Sequence, residues 1–585
     1  MQRNVPLLAA REFDVLVIGA GAFGAAAARD AALRGLDVAL IDAADFGGAT
    51  SAECFKIVHG GIRYLQHADL ARLRSSCAQR SALLRMAPHL VNPLPIAIPT
   101  YGRGRRGRLF LGAGACVYDL LTLGRNAHIR DPARRVRRTR WLSRTEVLST
   151  FPHLEAPDLS GAVVFEDGQM YNPPRLVLAF VKASVAAGAT VCNYVEALNF
   201  LWKDSAVCGV RARDRLSGEV FDIRAKLTLN AAGPWADYLE RERSQFGHVL
   251  RQPFSRDACF VVERAPTSVY GLAVQGLSRD KDALLSRAAR HLFAVPWRGR
   301  TLFGVWHRLF PDSPDKARVE HQELERWIAE LNMVYPALEL SPDEVTFANC
   351  GLVPFGDTAT DSELSFGKES RLVDHRKAHD VTGLVTLVGI RFTTARADAR
   401  RALDLLLEQH PRAPAAVRDV QPLPGGDIEE FAAFERQALA ASPAWLDRRS
   451  LRALLRNHGT EYRRVLALLS PRDGARAPES VDSLPAEIAY AVREEMAVRL
   501  DDVVRRRTEL GTANHPGRAL LEALAAQMAS LLGWSTQRTA EELEHVERML
   551  SAHLARPGKL AEQRHCAAPL RTNSSPGALL PELPH

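Results

Sequence analysis

The chain has 585 residues, 46% hydrophobic and 25% charged, enough for two or three domains with ordinary soluble cores. Its net charge of +8, from 76 Lys and Arg against 68 Asp and Glu, is too mild for this length to imply nucleic acid. The eight cysteines include no CxxC pair, which argues against a zinc site or a thioredoxin-like motif and suits a reducing, cytoplasmic compartment. Leu7 to Ala10 is too short for a signal-peptide core, and no stretch approaches the roughly 18 to 20 apolar residues of a spanning helix.

Phe13 to Ile18 (FDVLVI) is a short apolar run of the kind that forms a buried parallel strand. Gly19-Ala20-Gly21-Ala22-Phe23-Gly24 follows, then an Ala-rich helix through Leu33, a stop at Gly35 and a second strand from Asp37 to Ile41, ending at Asp42. Strand, glycine loop, helix and terminal acid together make a dinucleotide-binding βαβ unit. Gly19 allows the tight turn, Gly21 lets backbone approach a pyrophosphate, and Gly24 lets helix and strand pack closely. Asp42 is placed to accept from ribose hydroxyls. The pattern leaves FAD and NAD both open.

Further along, Arg103, Arg105, Arg106 and Arg108 precede an apolar run, Leu109 to Leu123, and Arg134, Arg135, Arg137, Arg138 and Arg140 follow it. The run reads either as a helix lying on an anionic membrane surface or as a core helix. Two more strands return to the first sheet. Asp222 to Leu229 ends in Asn230-Ala231-Ala232-Gly233-Pro234-Trp235, and Gly383 to Gly389 runs into Ile390-Arg391-Phe392-Thr393-Thr394 and a helix through about Leu407. The intervening stretches are too long for simple crossovers. They predict a cap domain from about 76–150 and 245–345, inserted between dinucleotide-binding segments 12–75, 155–244 and 346–410. Past Leu423-Pro424-Gly425-Gly426 the chain is helical in pattern over 426–555, with Glu487 to Arg507 a long amphipathic stretch. The tail 556–585, rich in Pro, Ser and Gly, is expected to be disordered.

The segment Thr50-Ser51, then Lys56-Ile57-Val58-His59-Gly60-Gly61-Ile62-Arg63-Tyr64-Leu65, resembles the signature of FAD-dependent glycerol-3-phosphate dehydrogenases, Lys-Leu-Ile-His-Gly-Gly-Leu-Arg-Tyr-Leu. Met86-Ala87-Pro88-His89-Leu90, Asp167-Gly168-Gln169, Asn230 to Trp235, Val295-Pro296-Trp297, Gly389 to Thr394 and Ala497 to Thr508 extend the likeness over about residues 12–550. The resemblance implies an α/β fold: a Rossmann-like FAD-binding domain of the glutathione-reductase or amino-acid-oxidase type, an interleaved antiparallel-sheet cap domain and a C-terminal helical domain. It implies non-covalent FAD, hydride transfer from an alcohol carbon, quinone as acceptor and peripheral attachment to the inner face of the cytoplasmic membrane, and it leaves a homodimer open. Carried over by position, FAD contacts fall on Gly19, Gly21, Gly24, Asp42, Thr50, Ser51, Lys56, His59, Gly60, Gly61, Val195, Ala232, Gly233, Gly389 and Thr393. Substrate contacts fall on Arg63, Tyr64, Lys368 and Arg391.

Several family positions are altered. A strand His is Cys259, the Gly-Thr-Thr-Asp turn is Gly304-Val305-Trp306-His307, and an arginine that would clamp substrate is Val353. A lysine is Arg391, and Cys54 and Phe55 stand where the family has small hydroxyl residues. Arg63, Lys368 and Arg391 remain to hold an anion, with Arg63 and Arg391 near the chemistry. His307 is a candidate base, against the commoner reading of a structural histidine. Cys259 reads as a buried thiol. Trp306 is expected to narrow the pocket or to supply a stacking face in it. The expected activity is oxidation of glycerol 3-phosphate or a related anionic alcohol. The alternatives are another alcohol or an amine, or a catalytically weakened flavoprotein that binds or senses.

Overall fold

The computed structural model describes residues 1–554 except 63, 65–68, 103–106, 153, 155–156, 241–245, 247–253, 280–288, 361–362, 367–369, 411–413, 418–419, 444–445 and 469–484. The expected tail 556–585 lies outside the described residues, as do Arg63, Arg103, Arg105, Arg106 and Lys368.

Among these residues, one sheet runs in the order Arg371–Asp374, Leu384–Val388, Val220–Asn230, Glu12–Ile18, Val38–Ile41, Thr190–Cys192. The pairings from Leu384–Val388 through to Thr190–Cys192 are all parallel. Val38–Ile41 and Leu384–Val388 are buried at every position, which explains their unbroken apolar runs. The alanines of helix Ala22–Leu33 let it pack between helices Pro173–Ala186 and Ala395–Leu407 on one face. Helix Val5–Ala10 and the hairpin of Val195–Lys203 with Ala206–Asp214 cover the other, where Phe200 and Val207 meet Phe13, Leu16 and Ile18.

A second, mixed sheet runs in the order Glu363–Phe366, Val345–Thr360, Phe254–Val262, Arg300–Phe310, Ala289–Trp297, Gly271–Arg279, Val91–Tyr101, Leu159–Met170, Ile57–Val58. Its members differ from the expected partition. Leu159–Met170 and Val345–Thr360, both expected in dinucleotide-binding segments, pair here with Val91–Tyr101 and Phe254–Val262. Local pattern marks a strand, but long-range register decides its sheet. Alternation gives this sheet two distinct faces. Phe260, Val262, Phe303 and Trp306 pack on helix His321–Val334, whereas Cys259, Val261, Leu302 and Phe347 lie on the face shared with the C-terminal helices.

The C-terminal segment is helical through Phe431–Ala441, Arg448–His458, Tyr462–Leu466, Pro485–Glu494, Arg518–Leu532 and Thr536–Ser551. The expected continuous stretch Glu487 to Arg507 is broken instead. Helix Pro485–Glu494 stops, Met496 takes a φ of 56°, and a π-helical turn spans Asp502–Arg507. Its charges are buried at Asp502, Arg505, Arg506 and Arg507. Arg507 Nη1 reaches Asp45 Oδ2 at 2.6 Å, Arg506 Nε reaches the same oxygen at 2.7 Å, and Arg505 Nη2 reaches Glu53 Oε1 at 2.6 Å. Partners some 450 residues away in sequence satisfy these charges, and a local charge pattern carries no sign of them.

Candidate functional site

The C-terminal ends of the parallel strands and the Cys259 face of the second sheet enclose a cavity of about 1030 Å³. That is ample for a dinucleotide with a small substrate beside it. Gly19 has a φ of 94°, and a Cβ there would stand 2.6 Å from the Ala231 carbonyl oxygen. A Cβ on Gly24 would sit inside the Gly19 carbonyl, so helix and strand touch through bare backbone. Gly21 is the N-cap of helix Ala22–Leu33 and meets only Ser51 Oγ, at 3.1 Å, leaving backbone open to the cavity. A helix N-terminus presented without side chains suits a diphosphate. Ser51 Oγ accepts from Ala22 N at 3.0 Å and so ties the next loop to that helix start. Asp42 closes the far end. Burial pushes its carboxyl up to about 6, against the opposing pull of the Ala44 and Ala20 amides at 2.8 and 2.7 Å. These residues fit a dinucleotide diphosphate with its ribose, as FAD requires.

The second sheet supplies the other wall. Asp257 and His307 stand opposite one another on adjacent antiparallel strands, and both line the cavity. His307 Nδ1 lies 2.7 Å from Asp257 Oδ1, which also accepts from Ser255 Oγ at 2.7 Å. Around them the wall is apolar, with Phe55, Cys259, Phe293, Val305 and Val353. Burial pushes the Cys259 thiol up to about 12 and also raises Cys54, so neither is a thiolate nucleophile at neutral pH. Near the first sheet, the guanidinium groups of Arg391 and Arg72 each lie 5.2 Å from the Tyr64 ring, and Arg72 also pairs with Asp69 at 3.0 Å.

Of the expected cofactor contacts, Gly19, Gly21, Asp42, Thr50, Ser51, His59, Gly61, Val195, Ala232, Gly233, Gly389 and Thr393 line this cavity. So do the expected substrate residues Tyr64 and Arg391 and the candidate base His307. Gly24 stands behind the loop, where its role is packing. Two expected contacts stand elsewhere. Lys56 turns away, its Nζ donating to Ala52 O at 3.0 Å over the Trp297 ring. Gly60 gives its amide to Asp167 Oδ1, and Arg80 and Tyr118 fill the space beside it. Trp306 neither narrows the pocket nor supplies a stacking face in it. It points to the opposite sheet face, stacks on Phe260 and Trp327, and donates Nε1 to Glu330 at 2.9 Å. Strand parity is the reason, since Val305 and His307 face in and Trp306 between them must face out. Two cavity residues carry no sequence signal: Arg72 belongs to no motif, and the importance of Asp257 rests on cross-strand register.

Comparison with known proteins agrees with this geometry. The model of the FAD dependent oxidoreductase family matches residues 14–397, and that of the C-terminal domain of alpha-glycerophosphate oxidase matches residues 418–539. A glycerol-3-phosphate dehydrogenase of Synechocystis is 30% identical over 567 residues, covering 93% of this chain and 97% of the relative. The mitochondrial glycerol-3-phosphate dehydrogenase of Bos taurus is 28% identical over 92% of this chain and 73% of its own length. In fold, the chain is similar to the glycerol-3-phosphate dehydrogenase of Bacillus halodurans solved with FAD, with a TM-score of 0.70, 22% identity and coverage of 94% and 97%. The glycine loop, the cavity between two sheets and these matches make the chain a member of the FAD-dependent oxidoreductases of the glycerol-3-phosphate dehydrogenase family.

Proposed function

We propose that this chain oxidises glycerol 3-phosphate to dihydroxyacetone phosphate, or a closely related anionic alcohol, and passes the electrons to a quinone. The observation that carries the reading is the His307–Asp257 pair, set in the same cavity as the glycine loop. FAD, when bound, supplies the hydride acceptor. The Asp257 carboxylate at 2.7 Å favours the proton on His307 Nδ1, which makes Nε2 the acceptor nitrogen. Nε2 takes the substrate hydroxyl proton as the carbon loses hydride, and Asp257 stabilises the imidazolium that forms. Arg391 and Arg72, each 5.2 Å from the Tyr64 ring, offer positive charge for the anionic end. The apolar wall excludes water around the transferring hydrogen. The test is anaerobic: glycerol 3-phosphate should bleach the flavin absorbance of purified protein. Bleaching by uncharged alcohols or amines, with none by glycerol 3-phosphate, would replace this substrate with one of those.

Val353 bears on how well the phosphate is held. With no guanidinium on that strand position, wild-type protein should bind glycerol 3-phosphate weakly, and Val353→Arg should lower KM by about tenfold or more. Steady-state kinetics with an artificial acceptor decide it. An unchanged KM would mean that Arg391 and Arg72 already hold the phosphate.

Helix Arg108–Leu121 supports a site of peripheral membrane attachment at the cytoplasmic face. Gly112, Ala115 and Tyr118 pack inward, while Leu109, Leu120 and Leu123 are 90%, 67% and 67% exposed. Among the described residues no helix is long and apolar enough to cross a membrane. Inserting one such leucine among acyl chains contributes about 1.5–3 kcal/mol, and each basic residue at an anionic surface about 1 kcal/mol. Co-sedimentation with anionic vesicles should therefore be salt-sensitive and largely lost in Leu109→Ser with Leu120→Ser. Undiminished sedimentation of that variant sinks the attachment site.

A further inference from the structure

We infer that the C-terminal turn Asp502–Arg507 belongs to the cofactor site, where its arginines hold and neutralise the acidic loop Asp45–Glu53 that borders the FAD cavity. Asp45, Thr50, Ser51 and Glu53 all line the cavity. The loop therefore brings two buried carboxylates, besides Asp42, to a space meant for an anionic diphosphate. Unpaired, they would repel it and would themselves be costly to bury.

Three consecutive arginines remove that difficulty. Arg507 grips Asp45 with both terminal nitrogens, at 2.6 and 2.8 Å, and Arg506 adds a contact at 2.7 Å. Although burial pushes the Asp45 carboxyl upward, Arg507 and Arg506 outweigh it and hold the group below its ordinary range. At the other end Arg505 Nη2 reaches Glu53 at 2.6 Å and His553 Nε2 at 2.9 Å. The loop is thus pinned at both ends from one turn. The same turn steadies a second stretch of wall. Asp502 accepts from Tyr194 Oη at 2.6 Å, beside cavity-lining Val195, and Asn193 Nδ2 donates to Asp45 at 2.9 Å. A π-helical turn places successive side chains unlike an α-helix, and here it aims all three arginines at the loop.

The experiment measures FAD affinity of the apoprotein by flavin fluorescence, alongside its melting temperature. Arg505→Gln should raise the FAD dissociation constant by about tenfold or more, the effect of losing one charge-assisted contact beside an anion. Arg505→Gln with Glu53→Gln, which also removes the carboxylate that lost its arginine, should recover most of that loss. A lower melting temperature with unchanged FAD affinity in Arg505→Gln would show a purely structural pin and overturn the inference, as would a double variant no better than the single. Should Arg505→Gln not fold, Glu53→Gln alone is expected to bind FAD at least as tightly as wild type. Weaker binding in that variant overturns the inference too.

Discussion

Gly21→Val should give folded but colourless protein. Gly21 has a φ of −73°, which any residue adopts, and a Cβ there meets only Ser51 Oγ at 3.1 Å. A valine therefore disturbs little of the fold, yet its methyl groups enter the space where a pyrophosphate must approach the helix N-terminus. Flavin absorbance should fall to near zero while far-ultraviolet circular dichroism is retained. Gly24→Val should behave differently, because its side chain would be driven into the Gly19 carbonyl and force helix Ala22–Leu33 off its strand. That variant should lose folded yield as well as colour. A yellow Gly21→Val protein with full flavin would remove the loop from the cofactor site.

His307→Ala should leave flavin content intact and lower kcat by about 10²–10⁴-fold, the usual contribution of a positioned general base. Asp257→Asn keeps the shape of the pair but no longer favours the proton on Nδ1, so it should lower kcat by about tenfold or more. The acid limb of the kcat/KM pH profile should flatten in His307→Ala, where the base is gone, and move to lower pH in Asp257→Asn, where the imidazolium loses its carboxylate; a change in packing alone would produce neither. A kcat within about twofold of wild type in His307→Ala would return the residue to the structural role that a lone histidine commonly has.

The contrast between these two sites shows what was legible in the sequence. The βαβ unit could be read from Phe13 to Asp42 because every part lies within one local run, and the observed strands and helix follow it closely. The Asp257–His307 pair could not, since the two are 50 residues apart and meet only through antiparallel register. Parity also decides Trp306, which faces helix His321–Val334 while its neighbours Val305 and His307 face the cavity. Lys56 and Gly60 sit within a family motif, yet one turns to Ala52 and the other to Asp167. Motif membership marks a segment, not the direction of each side chain. The arginines 505–507 carry the same lesson. Their run reads as the charged side of an amphipathic stretch, and only the tertiary fold reveals the carboxylates they meet.

The spacing of Asp45 from its counter-ions also sets a clock on biogenesis. Arg506 and Arg507 follow it by 461 and 462 residues, so at roughly 5–20 residues per second a ribosome takes on the order of 25–90 s to deliver them. Throughout that interval the nascent Asp45 carboxylate has no arginine to bury it, and water must hold it instead. The first βαβ unit can form during translation, but its acidic edge stays open until the C-terminal helices arrive. Ribosomes stalled before codon 505 should therefore carry a nascent chain that is cleaved by protease at the Asp45–Glu53 loop, and that cleavage should cease once the last helices emerge from the exit tunnel.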